Sequence, residues 1–252
     1  VPIPKLHQIE SWSISRYSAY SQCPALAKFK FIDKLQEPGG PALDKGNLVH
    51  ALAQMYVTGK LPPRNRDNER YYEKLVLAAR SITTLPDCLA RFPEEFEHLR
   101  KVKAQAEESW CFDRGWNVRP WNDWAGVWLR MKVDANYLEV SREGRKRITR
   151  CVVVDYKTGR EYAEDHKLQR SLYALGAFLK YPDVASATAE HWYLDAGKME
   201  RDTWLRANED ELKSFWLSKT TALLSDTTFA PRPGPKCQYC HFRKANSGPC
   251  EY

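Results

Sequence analysis

The segment "VVVDYKTGR" (152–160) sets Asp155 and Lys157 two residues apart behind three valines. Three valines read as a buried strand. Side chains alternate along a strand, so Asp155 and Lys157 share one face while Val152 and Val154 share the other. Taken alone, a D-x-K triplet is short and common, and an exposed pair of this kind contributes little. A second carboxylate changes its meaning. "GVWLRMKVDANYLEV" (126–140) alternates as a strand, with Trp128, Arg130, Lys132 and Asp134 on one face. A polar, glycine-containing turn (141–147) joins it to "ITRCVVVDYK" (148–157), which predicts an antiparallel hairpin. That pairing brings Asp134 near Asp155. Two neighbouring carboxylates repel unless a proton or cation intervenes. An oxygen-rich site suits Mg²⁺ or Mn²⁺. A lysine beside it contacts a phosphate or helps to activate a water.

Two further pairs carry polar groups at helical spacing. Gln169 and Tyr173 stand at i and i+4 in a helix expected over 165–180, beside a stripe of Leu168, Leu172, Leu175 and Leu179. A short connection from the D-x-K strand places the start of that helix near Lys157. Gly46 and His50 are also at i and i+4. A glycine inside a helix costs about 1 kcal/mol against alanine, which points to close backbone packing. A neutral imidazole held there is able to bind a metal.

The remaining chain supplies the elements that must position these residues. Helices are expected over 11–35 and 42–59, the second ending at Gly59, and near 68–83 and 94–113. The hairpin and the helix over 165–180 follow. Two strands flank "DAGK" within 186–207, a helix covers 208–225, and the Pro-, Gly- and Cys-rich tail (229–250) holds no regular element. This order predicts a mixed α/β domain with a central sheet flanked by helices. The expected organisation is one domain over 1–252: a mainly helical part (11–115), a sheet core (116–207), and a helix with a Cys-rich tail (208–252).

The chain has 252 residues, 43 % of them hydrophobic, enough to bury a core. Its formal net charge of +7 is compatible with a polyanionic partner. No apolar run is long enough to span a bilayer, and a cytoplasmic location is expected. The seven cysteines do not form a secreted disulfide pattern. Cys237, Cys240 and Cys250 crowd the tail, whereas Cys23, Cys88, Cys111 and Cys151 are isolated. Three clustered thiols read as a metal site that lacks a fourth ligand, with zinc the usual occupant.

Taken together, "GNLVH" (46–50), Asp134 in "MKVDA", "VVDYKTG" and "QRSLY" (169–173) resemble the RecB-like branch of the PD-(D/E)XK nuclease superfamily, in its motifs' order and approximate spacing. The resemblance implies a restriction-endonuclease-like α/β core. It implies that His50, Asp134 and Asp155, with the backbone carbonyl of Tyr156, bind a divalent cation. Lys157 then orients the attacking water or stabilises charge on the phosphate, and Gln169 and Tyr173 position Lys157 or the DNA backbone. Some relatives carry one more acidic residue upstream, for which Glu107 and Glu108 are both candidates. The iron–sulfur members of this branch add an N-terminal cysteine to three C-terminal ones. This implies a [4Fe–4S] cluster on Cys23, Cys237, Cys240 and Cys250, with zinc as the alternative.

The function implied is a metal-dependent DNA nuclease, an exonuclease acting on DNA ends in recombination or repair, of phage or bacterial type. A catalytically silent nucleic-acid-binding module and a structural subunit of a recombination complex are the alternatives. No G-x-x-x-x-G-K-[ST] loop is present, so ATP-driven unwinding would need a partner. Lys28, Lys30 and Lys34, and Arg142, Arg145, Lys146, Arg147 and Arg150 around the hairpin turn, are candidate phosphate contacts. Trp110, Trp116, Trp121, Trp124 and Trp128 are dense enough to offer base stacking, although core packing explains most of them.

Overall fold

The computed structural model describes residues 8–66, 68–159 and 163–252. Its contacts divide the chain into two compact units. Unit 1 comprises Val1–Gly39, Cys111–Arg130 and Lys213–Tyr252, and unit 2 comprises Gly40–Trp110 and Met131–Leu212.

Unit 1 opens with α1 (Ile14–Gln22), whose N-cap Ser13 accepts a hydrogen bond from the Arg16 N–H. The helix expected over 11–35 is in fact two. Cys23 is extended, and Pro24 starts α2 (Pro24–Phe31). A proline disfavours helical backbone in the residue before it, which explains the break. The core of the unit is aromatic. Trp12 stacks on Trp216 at 5.5 Å between ring centroids and meets Trp128 edge-on at 5.5 Å. The tail after Ser225 forms short 3₁₀ turns and an isolated β-bridge between Arg243 and Cys250.

Unit 2 begins with α3 (Pro41–Thr58), which has proline in its first turn and ends at the left-handed Gly59. α4 (Tyr72–Ala79) and α5 (Pro93–Lys101) follow. The helix expected over 94–113 stops at Lys101, and Gln105–Phe112 is instead a strand, β1. The stop is a Schellman turn. Lys103 is left-handed at φ 55°, its N–H bonds to the Arg100 carbonyl, and the Ala104 N–H bonds to the Leu99 carbonyl. Lysine in the place usually held by glycine concealed the stop from a reading of residue types.

The hairpin is β2 (Leu129–Glu143) and β3 (Lys146–Lys157), antiparallel with Ala135 opposite Val154. β3 runs parallel to β4 (Ser186–Tyr193), and the crossover between them contains α6 (Ala163–Lys180). β5 (Lys198–Leu205) returns antiparallel to β4. The sheet order is β1-β2-β3-β4-β5. α7 (Glu209–Ser225) carries the chain from unit 2 back into unit 1. One face of the sheet is covered by apolar side chains of α3 and α5, with Val49, Tyr56 and Phe96 against Val152, Val154 and Tyr156. Alternation along β3 then turns Asp155 and Lys157 to the opposite face, where α6 lies. No described helix is long and apolar enough to cross a membrane.

α6 comes close to the sheet at Gly176. A Cβ there would fall 2.6 Å from Met131 Cε and 3.1 Å from Trp110 Cε3. Gly176→Val should therefore lower stability by about 1–3 kcal/mol through overpacking. The midpoint of urea unfolding measures this, and an unchanged midpoint would mean that Met131 swings aside at no cost.

Candidate active site

The end of β3 carries a buried carboxylate. Asp155 is only 4 % exposed. Its Oδ1 accepts hydrogen bonds from the Tyr173 hydroxyl (2.6 Å) and from Gln169 Nε2 (3.0 Å). Lys157 Nζ lies 2.6 Å from Asp155 Oδ2 and donates to Gln169 Oε1 at 2.8 Å. The i, i+4 pair on α6 thus holds both members of the D-x-K pair. Burial alone would raise the Asp155 carboxyl. The charge of Lys157, with hydrogen bonds from Lys157 and Tyr173, outweighs it and holds the group below the ordinary carboxylate range.

Behind this pair stands His191, fully buried on β4 directly beside Asp155 in the parallel register. Arg170 Nη1 lies 3.2 Å from His191 Nδ1. A guanidinium only donates, so Nδ1 accepts and the imidazole proton resides on Nε2. That atom faces Asp155 Oδ2 at 3.7 Å. Arg170 is itself anchored by Asp202 (2.7 Å) and Glu200 (3.0 Å). Burial is the main cause that lowers His191 to about 3, so the ring is neutral. Nothing in the residue types pointed to Arg170 or His191.

Asp134 bridges to the other group. Its Oδ2 accepts the Tyr156 backbone N–H at 2.7 Å, and its Oδ1 lies 3.2 Å from His50 Nδ1. Gly46, one turn before His50, allows α3 to approach the strand end, because a Cβ there would lie 3.2 Å from Thr158 Oγ1. Glu107 completes the arrangement. One ligand atom from each of His50, Glu107 and Asp134 lies within 4.8 Å of the others. Asp155, expected in the same set, lies outside this group, with its carboxylate turned to α6.

Of the two acidic candidates upstream, Glu107 enters the site and Glu108 does not. Glu108 accepts hydrogen bonds from Trp110 Nε1 (3.0 Å) and Asn136 Nδ2 (2.8 Å). Glu107 is left-handed at φ 55°, an unusual conformation within a strand that redirects its side chain.

The donor set fits a divalent cation. Two carboxylates and an imidazole converge. Burial and the charge of Asp134 raise Glu107 to about 7. Burial pulls His50 down, but Asp134, Asp155 and Glu107 outweigh it and raise the ring to about 9. The upward shift of His50, made against burial, records the negative charge around it, which a hard cation neutralises.

Unit 1 brings the predicted cysteines together. Cys23, Cys237, Cys240 and Cys250 line one cavity of about 280 Å³ with Leu26 and Phe29. Cys23 Sγ accepts the Arg232 backbone N–H at 3.3 Å. Burial pushes the Cys240 thiol up, and Cys250, Cys23 and Cys237 add to it. Cys88, Cys111, Cys151 and His241 do not line this cavity.

The expected phosphate contacts differ in their surroundings. Lys28 pairs with Asp33 and Lys30 with Glu37, each at 2.6 Å. Arg142, Arg145, Arg147 and Arg150 are exposed around the hairpin turn, and the Lys146 side chain lies outside the described residues.

A five-stranded mixed sheet flanked by helices, with acidic groups and a lysine at the strand end, is the core of a known nuclease fold. Residues 11–245 match the family model of the PD-(D/E)XK nuclease superfamily, and the chain belongs to that superfamily. A solved structure from Eubacterium rectale, described as a putative exonuclease, is similar over 94 % of this chain and 87 % of its own, with TM-score 0.54 and 11 % identity. At that identity the likeness shows the fold. A second structure, SSO0001, is 17 % identical over 83 % of this chain and 96 % of its own, but its TM-score of 0.31 carries no argument. No curated protein sequence matches.

The two neighbouring glutamates separate in experiment. Glu107→Gln should weaken Mn²⁺ binding at least about 10-fold by calorimetry. Glu108→Gln should leave that affinity intact and cost about 1 kcal/mol of stability through its two hydrogen bonds. The reverse pattern would exchange their roles.

Proposed function

We propose that the chain is a divalent-metal-dependent deoxyribonuclease of the RecB-like, iron–sulfur type, acting as an exonuclease on DNA ends in recombination or repair. The observation that carries this reading is the buried Asp155 paired with Lys157, next to the His50–Glu107–Asp134 group. Mg²⁺ or Mn²⁺, when bound, polarises the scissile phosphate and lowers the pKa of the attacking water. His50, Glu107, Asp134 and Asp155, with the Tyr156 carbonyl, are its ligands. Lys157 orients the water and stabilises charge developing on the phosphate oxygens. Gln169 and Tyr173 hold Asp155 and Lys157 in register, and they act on the substrate through them.

The cysteine cavity of unit 1 holds a [4Fe–4S] cluster in this reading. Its role is structural. It ties the α1–α2 junction to the tail across roughly 200 residues, and so removes chain entropy from the unfolded state. Unwinding of duplex DNA falls to a partner protein.

End-labelled linear DNA and closed circular DNA, each with Mg²⁺, Mn²⁺ or EDTA, test the activity. Metal-dependent loss of linear DNA alone is expected. Asp155→Ala and Lys157→Ala should each reduce the rate at least about 100-fold. Cutting of the circle would replace exonuclease with endonuclease action. Absence of cleavage from folded, cluster-loaded protein would leave a binding module.

Cys240→Ala should abolish the visible iron–sulfur absorption and lower the melting temperature. Zinc rather than iron in the purified wild type would refute the cluster assignment.

A further inference from the structure

Charge is divided unevenly between the units. Unit 1 carries 14 Lys and Arg against 7 Asp and Glu, so the whole net charge of +7 lies there and unit 2 is neutral. Within unit 1 the tryptophans separate into two kinds. Trp128 is buried and packs on Trp12, and Trp116 covers Trp128 at 5.0 Å. Trp121 and Trp124 are instead 38 % and 75 % exposed. An indole left so open forgoes burial of a large apolar surface.

The exposed pair is held in place. Arg130 lies 4.6 Å from the Trp124 ring and 4.9 Å from the Trp121 ring, and its Nη1 donates to the Trp121 carbonyl at 2.8 Å. Asp123 pins the same turn, accepting from the Gly126 N–H (3.0 Å) and from Arg119 Nε (2.9 Å). The indole is therefore presented on a preorganised turn, where ordering costs little on binding. Among the described residues Arg130 and Arg16 pair with no carboxylate. Burial and the like charge of Arg130 hold the Arg16 guanidinium below its ordinary value. Such a patch offers an aromatic face and, in Arg130, a cation without a carboxylate partner.

We propose that the turn around Trp124 is a stacking platform for an unpaired base of single-stranded DNA, with Arg130 drawing the adjoining phosphate. Stacking tolerates every base, so the platform binds without sequence preference. The choice of DNA rests on the nuclease reading, whereas the stacking does not.

Fluorescence anisotropy in EDTA tests the platform without cleavage. The probes are a labelled oligothymidylate, an abasic strand of equal length and a duplex. Trp124→Ala should weaken oligothymidylate binding about 5- to 100-fold, and Trp124→Phe should recover most of it. The abasic strand should bind wild type and Trp124→Ala alike, with duplex affinity changing less than about 2-fold. Unchanged oligothymidylate affinity in Trp124→Ala, at wild-type melting temperature, would overturn the proposal. So would an equal loss on the abasic strand. Trp124-dependent binding by a protein that cleaves nothing would sink the nuclease reading alone.

Discussion

A carboxylate buried at the end of a parallel strand sets the terms for unit 2. Asp155 pays a desolvation penalty that only neighbouring donors and cations offset. Lys157 supplies charge from the same strand, Tyr173 and Gln169 supply hydrogen bonds from α6, and His191 stands beside it on β4. Each comes from an element that the sheet topology must bring to one point. The βαβ crossover does this, because α6 leaves β3 and packs back on the face that Asp155 and Lys157 share. Removal of one member from such a buried set leaves the others uncompensated, at a cost of about 3–5 kcal/mol. The chemistry and the local stability therefore depend on the same contacts.

The two faces of β3 do different work. Val152, Val154 and Tyr156 bury their side chains against α3 and α5. The Tyr156 ring packs on Phe96 and Trp192, at 5.2 and 5.8 Å. That packing holds the strand end rigid, and the Tyr156 N–H in turn fixes Asp134. His50 touches the Tyr156 ring edge at 5.8 Å while it faces Asp134. The apolar core and the acidic group are thus coupled through one residue. A rigid backbone keeps like charges close when their repulsion would otherwise spread them.

Unit 1 has a different composition. It is basic and aromatic, and the four cysteines that line its cavity are far apart in the chain, Cys23 from Cys237, Cys240 and Cys250. Cys23 sits at the break between α1 and α2, where Pro24 forces extended backbone. Of the tail cysteines, Cys237 lies in a short 3₁₀ turn, Cys240 directly follows it, and Cys250 forms a β-bridge to Arg243. Phe229 and Phe242 are the large side chains that the tail buries.

Much of the site was legible in the residues. Alternation and a glycine-containing turn marked the hairpin, and i, i+4 spacing marked Gln169 with Tyr173 and Gly46 with His50. These are rules of local geometry, which act over a few residues. Glu107 was legible only as one of two candidates. Lys103 stops α5 without a glycine, and the left-handed backbone of Glu107 chooses it over Glu108. Arg170 and His191 carried no signal, because their meaning arises from the register of β3 against β4 and from the anchors on β5. The sequence also listed five tryptophans alike, and packing alone separated the buried Trp110 and Trp128 from the open Trp124. By itself the sequence determined which chemical groups are available and which local elements carry them. The tertiary structure decided which groups meet, because strand register, backbone handedness and burial depend on segments far apart in the chain.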